Sequence, residues 1–498
     1  MTAAKPPQTG EPVRMTATLL PDTRLDECFI DGRWHRPLDG SRIDIVSPST
    51  EEIIGSATLA GIADADLALR AARTAFDEGP WPSLTPAERG RYVSALGDAL
   101  EARLSESSRA LVAEMGRPAT AAYRGNAYAV AMARDFAGQS TRLCLEEARA
   151  VDGGTAHIIR EPVGVVLAIV PWNGPHPLAI NKLAPALIAG CTVVVKPAPE
   201  TPCNAAILAE AVAEAGLPPG VVNIVLAGTD VARHLVRSPL VDKISFTGSL
   251  AVGQEIIRES AQRLARVTLE LGGKSAAIVL DDADFGELVP QLVNGTLNSS
   301  GQACRALTRY LVPQHRRREF VDAVAAHAAA VPVGDPFDER TVVGPLVSAR
   351  QRQRVESYLE IGKAEGARVV VGGGRPPGQT RGWYVEPTVF DVDDPNATIA
   401  QEEIFGPVIT VLGYEGDEDA VRLANNSRYG LSGAVFTEDV ARGTAIARRV
   451  RTGTINVAKM GVSLLQPFGG YKCSGLGREG GPEGFASYLE IKQMFTPR

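Results

Sequence analysis

Short apolar runs alternate with longer amphipathic stretches through the middle of the chain. The apolar runs lie at 163–170, 193–195, 222–226, 244–246 and 276–280. Between them, apolar residues at helical spacing predict helices at about 177–190, 203–216, 230–238 and 251–265. Continuous apolar runs are typical of strands that are buried on both faces of a parallel sheet. Their alternation with helices predicts βαβ units and a doubly wound α/β sheet.

The regions on either side of this sheet have different patterns. Before residue 150, helical spacing predicts helices at 65–76, 86–115 and 119–140. From about 284 to 460 the alternation resumes, with strands expected near 309–312, 368–371, 408–412, 433–436 and 454–457. The glycine- and proline-rich stretch 372–378 is expected to be a loop. The length of 498 residues predicts about two to four domains.

Composition and charge narrow the classes of function. The net charge is −7, with one short basic cluster at 316–318, so a nucleic-acid-binding protein is disfavoured. The longest clear apolar run is far shorter than the roughly 20 residues of a membrane-spanning helix. Residues 1–20 lack the apolar core of a signal peptide, which predicts a flexible arm and a cytoplasmic protein.

The cysteines and histidines are dispersed along the chain. Six cysteines form no CxxC pair and six histidines form no HExxH motif, so neither a disulfide framework nor a protein-built metal site is expected. This cysteine usage is typical of a reducing cytoplasm.

Cys304 and Glu270 are the first candidates for chemistry. Cys304 lies in the polar stretch NSSGQACRA, just after a helical pattern and before Arg305. A lone cysteine is usually a small buried apolar residue, but cationic surroundings lower the pKa of a thiol and make it a nucleophile. Glu270 stands between two leucines and before two glycines. A carboxylate in that position is either paired with a cation or a general base.

Polar residues follow three of the predicted strands. Asn173 comes after the first run, where its amide either forms an Asn-Gly turn or donates to an oxyanion. Lys196 ends the second run as either a solvated lysine or a ligand contact. Gly248 and Ser249 precede a predicted helix, where they suit a helix cap or a phosphate contact. Ligands of open α/β sheets bind at such strand ends. The GxGxxG fingerprint is absent, so a dinucleotide site would differ from that of a standard Rossmann domain.

Seven motifs of the chain resemble those of the aldehyde dehydrogenase superfamily, in the same order and at similar spacing. They are PWNGP, VVVKPAPETP, ISFTGS, LELGGKSA, GQACRA, QEEIFGPV and PFGGYKCSGLGRE. The resemblance covers nearly the whole chain. It implies an enzyme that oxidises an aldehyde to a carboxylate with NAD(P)+ and hydrolyses a covalent thioester on the way.

The resemblance also implies roles for individual residues. Cys304 aligns with the nucleophile, Glu270 with the base that activates the deacylating water, and Asn173 with an oxyanion donor. Lys182 and Glu479 match positions tied to a proton relay and to structural support of the site. The implied substrate positions are Gly174, Leu178, Asn181, Ala303, Arg305 and Phe468.

The cofactor site implied by the resemblance draws on several strand ends. Lys196 would hold the adenosine ribose, Gly248 and Ser249 would lie by the pyrophosphate, Glu403 would hold the nicotinamide ribose, and Phe405 would pack near that ring. The full set of implied cofactor positions is Val170, Pro171, Trp172, Lys196, Pro199, Glu200, Gly228, Phe246, Thr247, Gly248, Ser249, Leu271, Gly272, Glu403 and Phe405.

The implied fold is a Rossmann-like cofactor domain, a catalytic α/β domain and a small β oligomerisation arm. The cofactor domain is expected at 21–144 and 161–272, and the catalytic domain at 273–470. The arm is expected to combine the hairpin near 145–160 with the tail 471–498. Because such arms complete a neighbour's sheet, a homodimer or homotetramer is expected.

The chain departs from the family pattern at two places. In the family, a glutamate that favours NAD often stands three residues after the ribose lysine, but here Pro199 has that position and Glu200 follows it. NAD is the predicted cofactor, and NADP stays open. The substrate tunnel of the family often carries aromatic residues where this chain has Gly174 and Asn181, with Phe468 left as one aromatic wall. A wider or more polar tunnel is therefore expected.

Three alternative functions fit the sequence less well than a hydrolytic aldehyde dehydrogenase. A CoA-acylating relative is disfavoured by Glu270, which such enzymes usually lack. A thiol esterase or amidase would leave Lys196 and Glu403 unexplained. A structural or binding protein on the same fold would not need the intact set of Cys304, Glu270 and Asn173.

Overall fold

The computed structural model describes residues 20–461 and 463–498 of the chain. Apart from Leu20, the predicted N-terminal arm lies outside these residues. Within the described part, the strands form sheets of eight, seven, three and two strands. None of the helices found there is both long and apolar enough to cross a membrane.

The amino-terminal part combines short strands with four helices. Its elements are β1 (Cys28–Ile30), β2 (Arg33–His35), β3 (Ser41–Val46), β4 (Ile53–Leu59), α1 (Ile62–Asp77), α2 (Pro86–Ala102), α3 (Leu104–Met115) and α4 (Ala119–Gln139). The predicted helix 86–115 is divided at Arg103, whose φ of −103° and ψ of 11° interrupt the helix. Strands β1 to β4 are absent from the prediction. β3 and β4 pair only with each other and have few fully buried positions, so they lack a continuous apolar run.

The central part follows the predicted alternation closely. After the hairpin β5 (Glu146–Val151) and β6 (Gly154–Pro162), its elements are β7 (Val165–Ile169), α5 (Pro175–Ala189), β8 (Thr192–Lys196), α6 (Pro202–Glu214), β9 (Val222–Ile224), α7 (Thr229–Arg237), β10 (Lys243–Thr247), α8 (Leu250–Ala261) and β11 (Arg266–Glu270). Every residue of β7, β8 and β10 is buried. Alternate residues of β7 face two different apolar clusters, so helices cover both faces of the sheet.

The carboxyl-terminal part contains a second α/β unit and the tail. Its elements are β12 (Ala276–Val279), α9 (Phe285–Leu297), β13 (Arg309–Pro313), α10 (Arg317–Ala330), α11 (Ala349–Ala364), β14 (Arg368–Val371), β15 (Thr388–Asp391), α12 (Thr398–Gln401), β16 (Val408–Tyr414), α13 (Gly416–Asn425), β17 (Gly433–Phe436), α14 (Val440–Ala447), β18 (Asn456–Val457), β19 (Gly475–Leu476), α15 (Gly481–Ala486) and β20 (Leu489–Pro497). β15 is absent from the prediction, and β18 is shorter than expected. The stretch 372–378 is a loop, as predicted.

The strand order of the eight-stranded sheet indicates where a ligand crevice lies. Its order is β19-β11-β10-β7-β8-β9-β1-β2, and the five central strands are parallel. β8 and β9 lie on one side of β7, and β10 and β11 lie on the other, so the direction of winding changes between β7 and β10. Open α/β sheets bind ligands beyond the carboxyl ends of the strands at such a point. The crevice is therefore expected after Ile169 and Thr247.

The remaining sheets are smaller or lie apart from this crevice. The seven-stranded sheet has the order β14-β15-β16-β13-β12-β17-β18 and is parallel except for β14. The three-stranded sheet pairs β6 with β5 and β20, all antiparallel. Only Leu489–Pro497 of the predicted arm segment 471–498 lies in this sheet, because β19 pairs with β11 of the eight-stranded sheet. The domain boundaries themselves stay a prediction.

Candidate active site

The strand ends at the crevice are tied together by backbone hydrogen bonds. The Val170 N–H donates to the Lys196 carbonyl at 3.1 Å, and the Gly248 N–H donates to the Glu270 carbonyl at 3.0 Å. The turn after β7 brings Asn173 to the start of α5, and the half-buried Pro171 belongs to the same turn. Residues that are far apart in sequence thus meet at one edge of the sheet.

The loop that carries Cys304 is held in a fixed shape. After α9 the chain passes through Ser299 and Ser300, whose φ angles are 55° and 58°, and then Gly301 at 72°. A Cβ on Gly301 would stand 2.0 Å from the Gly406 carbonyl oxygen, so only glycine allows this approach. The Asn173 side-chain amide donates to the Gln302 carbonyl at 3.0 Å. Asn173 and Cys304 are therefore neighbours in one site.

The surroundings of Cys304 favour its thiol form. Burial, together with the carboxyl groups of Glu403 and Glu270, raises the pKa of Cys304 to about 12, against the opposite effect of Arg305. The expectation that cationic surroundings lower the pKa of Cys304 is therefore wrong, because the net shift is upward. The neighbouring Arg305 does lower this pKa, but two carboxyl groups from distant segments raise it by more.

The side chain of Glu270 is buried at the end of β11. Neither of its carboxyl oxygens has a partner among the described residues. The pKa of Glu270 is raised well above its usual range, first by burial and then by Glu479, while Lys182 and Arg478 oppose the rise. A Cβ on Gly469 would stand 2.8 Å from the nearer carboxyl oxygen, which leaves Glu270 in a glycine-walled recess. A carboxyl group with a raised pKa and free oxygens is suited to act as a general base.

Lys182 and Glu479 form a fully buried ion pair. Glu479 also accepts hydrogen bonds from the Asn181 amide at 2.9 Å and from the Ser245 hydroxyl at 3.2 Å. The Phe468 and Glu479 backbones exchange two hydrogen bonds, which sets Phe468 beside this pair. Asn181, expected to line the substrate tunnel, is buried and uses its amide N–H to hold Glu479.

The other predicted substrate positions lie at the start of α5 and on the Cys304 loop. Gly174 is buried at the start of α5, and a Cβ there would stand 3.5 Å from the half-buried Leu178. On the Cys304 loop, Ala303 is half-buried and Arg305 is exposed. Arg117 was not predicted, although it donates to the Asn173 carbonyl at 3.1 Å. No motif surrounds it, and only the folded chain brings it to the site.

Lys196 fits the role of a cofactor contact. It is almost fully buried at the end of β8, and no hydrogen bond to its ammonium is found within the described part of the chain. Burial lowers the pKa of Lys196 to about 8, and the nearby Glu200 opposes this effect. Pro199 and Glu200 are half-buried beside it. A mostly buried lysine at a strand end has an ammonium that can donate to a ligand in the crevice.

The ends of β10 and β11 form a close-fitting cradle. A Cβ on Gly248 would stand 2.4 Å from the Phe246 ring, and a Cβ on Gly272 would stand 2.1 Å from the Glu403 carboxyl. The Ser249 hydroxyl accepts a hydrogen bond from the Val252 N–H at 3.4 Å. Ser249 therefore caps α8, which is one of the two roles predicted for it. The Thr247 hydroxyl is buried and without a partner among the described residues.

Two further predicted cofactor positions border this cradle. The Leu271 N–H donates to the Ser474 carbonyl at 2.9 Å, which ties β11 to the segment before β19. Gly228 is the residue before α7 and lies further along the strand ends. The Leu271 side chain is buried in the apolar cluster on one face of this sheet.

Glu403 and Phe405 close the crevice from the second α/β unit. Glu403 accepts a hydrogen bond from the Gly273 N–H at 3.1 Å, and burial raises its pKa to about 7. Phe405 has a φ of 62° and packs edge-on against Trp172, with 5.5 Å between the ring centres. The crevice between the two units thus has the glycine cradle, the free lysine and the aromatic wall that a dinucleotide requires.

Comparison with known proteins identifies the family. The sequence pattern of the aldehyde dehydrogenase family matches residues 34–494. The geranial dehydrogenase of Castellaniella defragrans is 46% identical over 469 residues, which cover 94% of this chain and 98% of that protein.

Solved structures agree with the sequence comparison. The crystal structure of a Mycobacterium tuberculosis aldehyde dehydrogenase with NAD+ superposes with a TM-score of 0.93 at 45% identity, over 95% of this chain and 99% of that one. That of aldehyde dehydrogenase C of Pseudomonas syringae with NAD+ and octanal has a TM-score of 0.92 at 38% identity, over 96% and 98%.

The chain belongs to the aldehyde dehydrogenase family. Its reaction is the oxidation of an aldehyde, with a nicotinamide cofactor as the oxidant. The predicted family, fold class and reaction class are confirmed. The alternatives of a thiol hydrolase and of a structural protein are therefore set aside.

Proposed function

We propose that Cys304, Glu270 and Asn173 carry out the oxidation, with NAD+ as cofactor and a bulky aldehyde as substrate. The observation that carries the proposal is the meeting of these three residues from separate segments. The Asn173 amide contacts the Cys304 loop, and Glu270 lies close enough to raise the pKa of Cys304. Nucleophile, base and oxyanion donor are the groups that acyl chemistry requires.

The first half of the reaction takes place on Cys304. Its thiol releases a proton to solvent water, and the sulfur attacks the carbonyl carbon. The carbonyl π electrons move to the oxygen, which becomes the oxyanion of a thiohemiacetal. Asn173 and the Cys304 backbone N–H would donate to the oxyanion. When bound, the nicotinamide accepts the hydride that leaves the substrate carbon. The product on Cys304 is a thioester.

The second half depends on Glu270. Its free carboxyl oxygens face no protein donor among the described residues, so they are available to a water molecule. Glu270 takes a proton from that water, the oxygen attacks the thioester, and the Cys304 thiolate leaves. The carboxylate product then departs. Because water is the acceptor, no CoA is needed.

The cofactor would lie in the crevice described above. Lys196 would hold the adenosine ribose, Gly248 with its neighbours would face the pyrophosphate, and Glu403 would hold the second ribose. The Thr247 hydroxyl, which is buried without a partner among the described residues, and the mostly buried Lys196 at the end of β8 support this placement. Both relatives in the solved structures above are bound to NAD+.

Glu200 is expected to set the preference for NAD over NADP. It lies close enough to Lys196 to raise the pKa of the lysine, and its negative charge would repel a 2'-phosphate on the neighbouring ribose. We expect Glu200→Gln to raise kcat/KM for NADP relative to NAD by about tenfold, which is the scale of one such charge contact. Steady-state assays with both cofactors measure the ratio. An unchanged ratio contradicts this role, and Glu210→Gln, on α6, serves as the control.

The substrate is expected to be bulky. Gly174 carries no side chain at a position where the family often has an aromatic residue, and the geranial dehydrogenase named above takes its name from geranial. We expect geranial, octanal and benzaldehyde to give higher kcat/KM than acetaldehyde or propanal, in assays of NADH absorbance without CoA. A panel in which the short apolar aldehydes rank first would refute this assignment, and an absolute need for CoA would refute the hydrolytic step.

Replacement of Lys182 and replacement of Glu479 are expected to shift the acidic limb of the kcat pH profile in opposite directions. Glu270 works as a base only when it is ionised, so kcat falls as the pH falls through its raised pKa. Lys182→Met removes a cation that lowers this pKa, so the limb moves to higher pH. Glu479→Gln removes an anion that raises it, so the limb moves to lower pH.

The pH experiment needs a check of folding. Breaking a buried ion pair destabilises a protein by about 3–5 kcal/mol, so each variant is tested by thermal unfolding before its kcat profile is recorded. Lys459→Met, at an exposed lysine, is the control. Shifts in the same direction for both variants contradict the proposed coupling.

We also infer a homodimer or homotetramer and a cytoplasmic location. Exposed apolar side chains on the edge strands β5 and β20, among them Val151, Ile491 and Phe495, support an association of chains. The free cysteines of the described residues support a reducing compartment. Light scattering of the full chain gives the number of subunits.

A further inference from the structure

A small cavity lies beside the start of β12, the strand that follows the cofactor cradle. It is bounded by the starts of β12 and β13, by the end of α13 and by the loops 429–432 and 450–452. It has room for one particle of about the size of a water molecule. Neither the sequence motifs nor the proposed reaction assigns it a role.

Four hydrogen-bond donors in the cavity wall lack partners. They are the Lys274 ammonium, the Ser275 hydroxyl, Nε of Arg309 and the Thr452 hydroxyl, and each is without a partner among the described residues. The exposed fractions of Lys274, Ser275 and Arg309 are only 2%, 3% and 2%. Buried polar groups nearly always have a partner, so four such donors around one cavity indicate a missing ligand.

The charge of the cavity wall is positive. Arg309 cannot turn away, because its terminal nitrogens donate to the carbonyls at the end of α13 at 3.0 Å. Lys274 stands near it. Burial and then the charge of Arg309 lower the pKa of Lys274 to about 7, against the opposite effect of the carboxyl groups of Glu403 and Glu402. No carboxylate lines the cavity in the part of the chain that the structure describes. Two buried cations in one cavity wall are costly, and an anion in the cavity itself would offset that cost.

We propose that this cavity is a binding site for a single halide-sized anion, with chloride as the ligand and Lys274, Ser275 and Arg309 as its donors. Its size excludes a tetrahedral oxyanion such as phosphate. The site is independent of the proposed catalytic roles, because none of its donors contacts the reacting groups.

The anion would stabilise the segment that precedes it. Lys274 directly follows Gly272 and Gly273, which touch Glu403, and a Cβ on Gly273 would stand 2.8 Å from the Cys304 carbonyl oxygen. Holding Lys274 by a bound ion fixes this crowded turn between the cofactor cradle and the Cys304 loop. A bound ligand that favours the folded state raises the unfolding temperature as its concentration rises.

A bromide soak of wild-type crystals tests the site directly. Bromide has the charge of chloride and nearly its size, and its anomalous signal identifies it without ambiguity. We expect an anomalous peak within hydrogen-bond distance of Lys274 Nζ and Arg309 Nε. A cavity that holds only water, with no peak, overturns the proposal.

Thermal unfolding of the full chain gives a second test in solution. We expect the unfolding temperature to be higher in sodium chloride or bromide than in sodium gluconate of equal ionic strength, with a saturable dependence. Lys274→Met should weaken the halide dependence by about tenfold or more, since it removes a charged donor. Lys363→Met, at a lysine on α11 that pairs with Glu360, should keep the full effect. An equal halide effect in Lys274→Met and wild type overturns the proposal.

Discussion

Replacement of Cys304 by alanine is expected to abolish aldehyde-dependent formation of NADH. Without the sulfur there is no thiohemiacetal from which hydride can leave, and loss of a catalytic nucleophile typically costs at least about 10⁴-fold in kcat. The change removes one atom from a half-buried side chain, so the fold should persist. Nicotinamide absorbance with octanal and NAD+ measures the loss.

A cysteine elsewhere provides the comparison. Cys144 is exposed, lies just before β5 and is assigned no part in the reaction. Cys144→Ala should keep the wild-type rate. Turnover by Cys304→Ala within tenfold of wild type, or an equal loss in Cys144→Ala, would contradict the assignment of the nucleophile.

Replacement of Glu270 by glutamine is expected to slow turnover while leaving the first half of the reaction intact. General-base catalysis contributes about 10²–10⁴-fold, so steady-state kcat should fall by that factor. The thioester should still form once per active site, which gives a rapid burst of NADH followed by a slow phase. Stopped-flow absorbance records both phases.

The matched control for this variant is Glu287→Gln. Glu287 is an exposed carboxylate in the first turn of α9, the helix that leads to the Cys304 loop. It should show neither a burst nor a loss of rate relative to wild type. Loss of the burst together with the steady-state rate in Glu270→Gln would place Glu270 in the first half of the reaction instead.

The strands of both large sheets are where the sequence is most informative. β7, β8 and β10 are buried on both faces, so they read as continuous apolar runs and are predicted almost to the residue. β3 has a mostly exposed pattern, and the apolar residues of β15 are only Val389 and Phe390 between Thr388 and Asp391, so neither strand produces such a run. The predicted strand ends then lead to Asn173 and Lys196, because parallel strands present their carboxyl ends at one edge.

The electrostatics of the site are where sequence neighbours mislead. Arg305 is next to Cys304 in the chain, but Glu403 is almost one hundred residues away and has the larger effect on the thiol pKa. Asn181 matches a tunnel position, yet its partner Glu479 lies 298 residues further along. Such contacts depend on tertiary packing, which apolar periodicity does not encode.

The mass of the protein during turnover tests covalent catalysis at Cys304 most directly. Glu270→Gln is mixed with octanal and NAD+, quenched in acid within the burst, digested and examined by mass spectrometry. We expect an octanoyl group on the peptide that contains Cys304, in an amount close to that of the burst. A burst of NADH with no acyl group on Cys304 would contradict covalent catalysis at this residue.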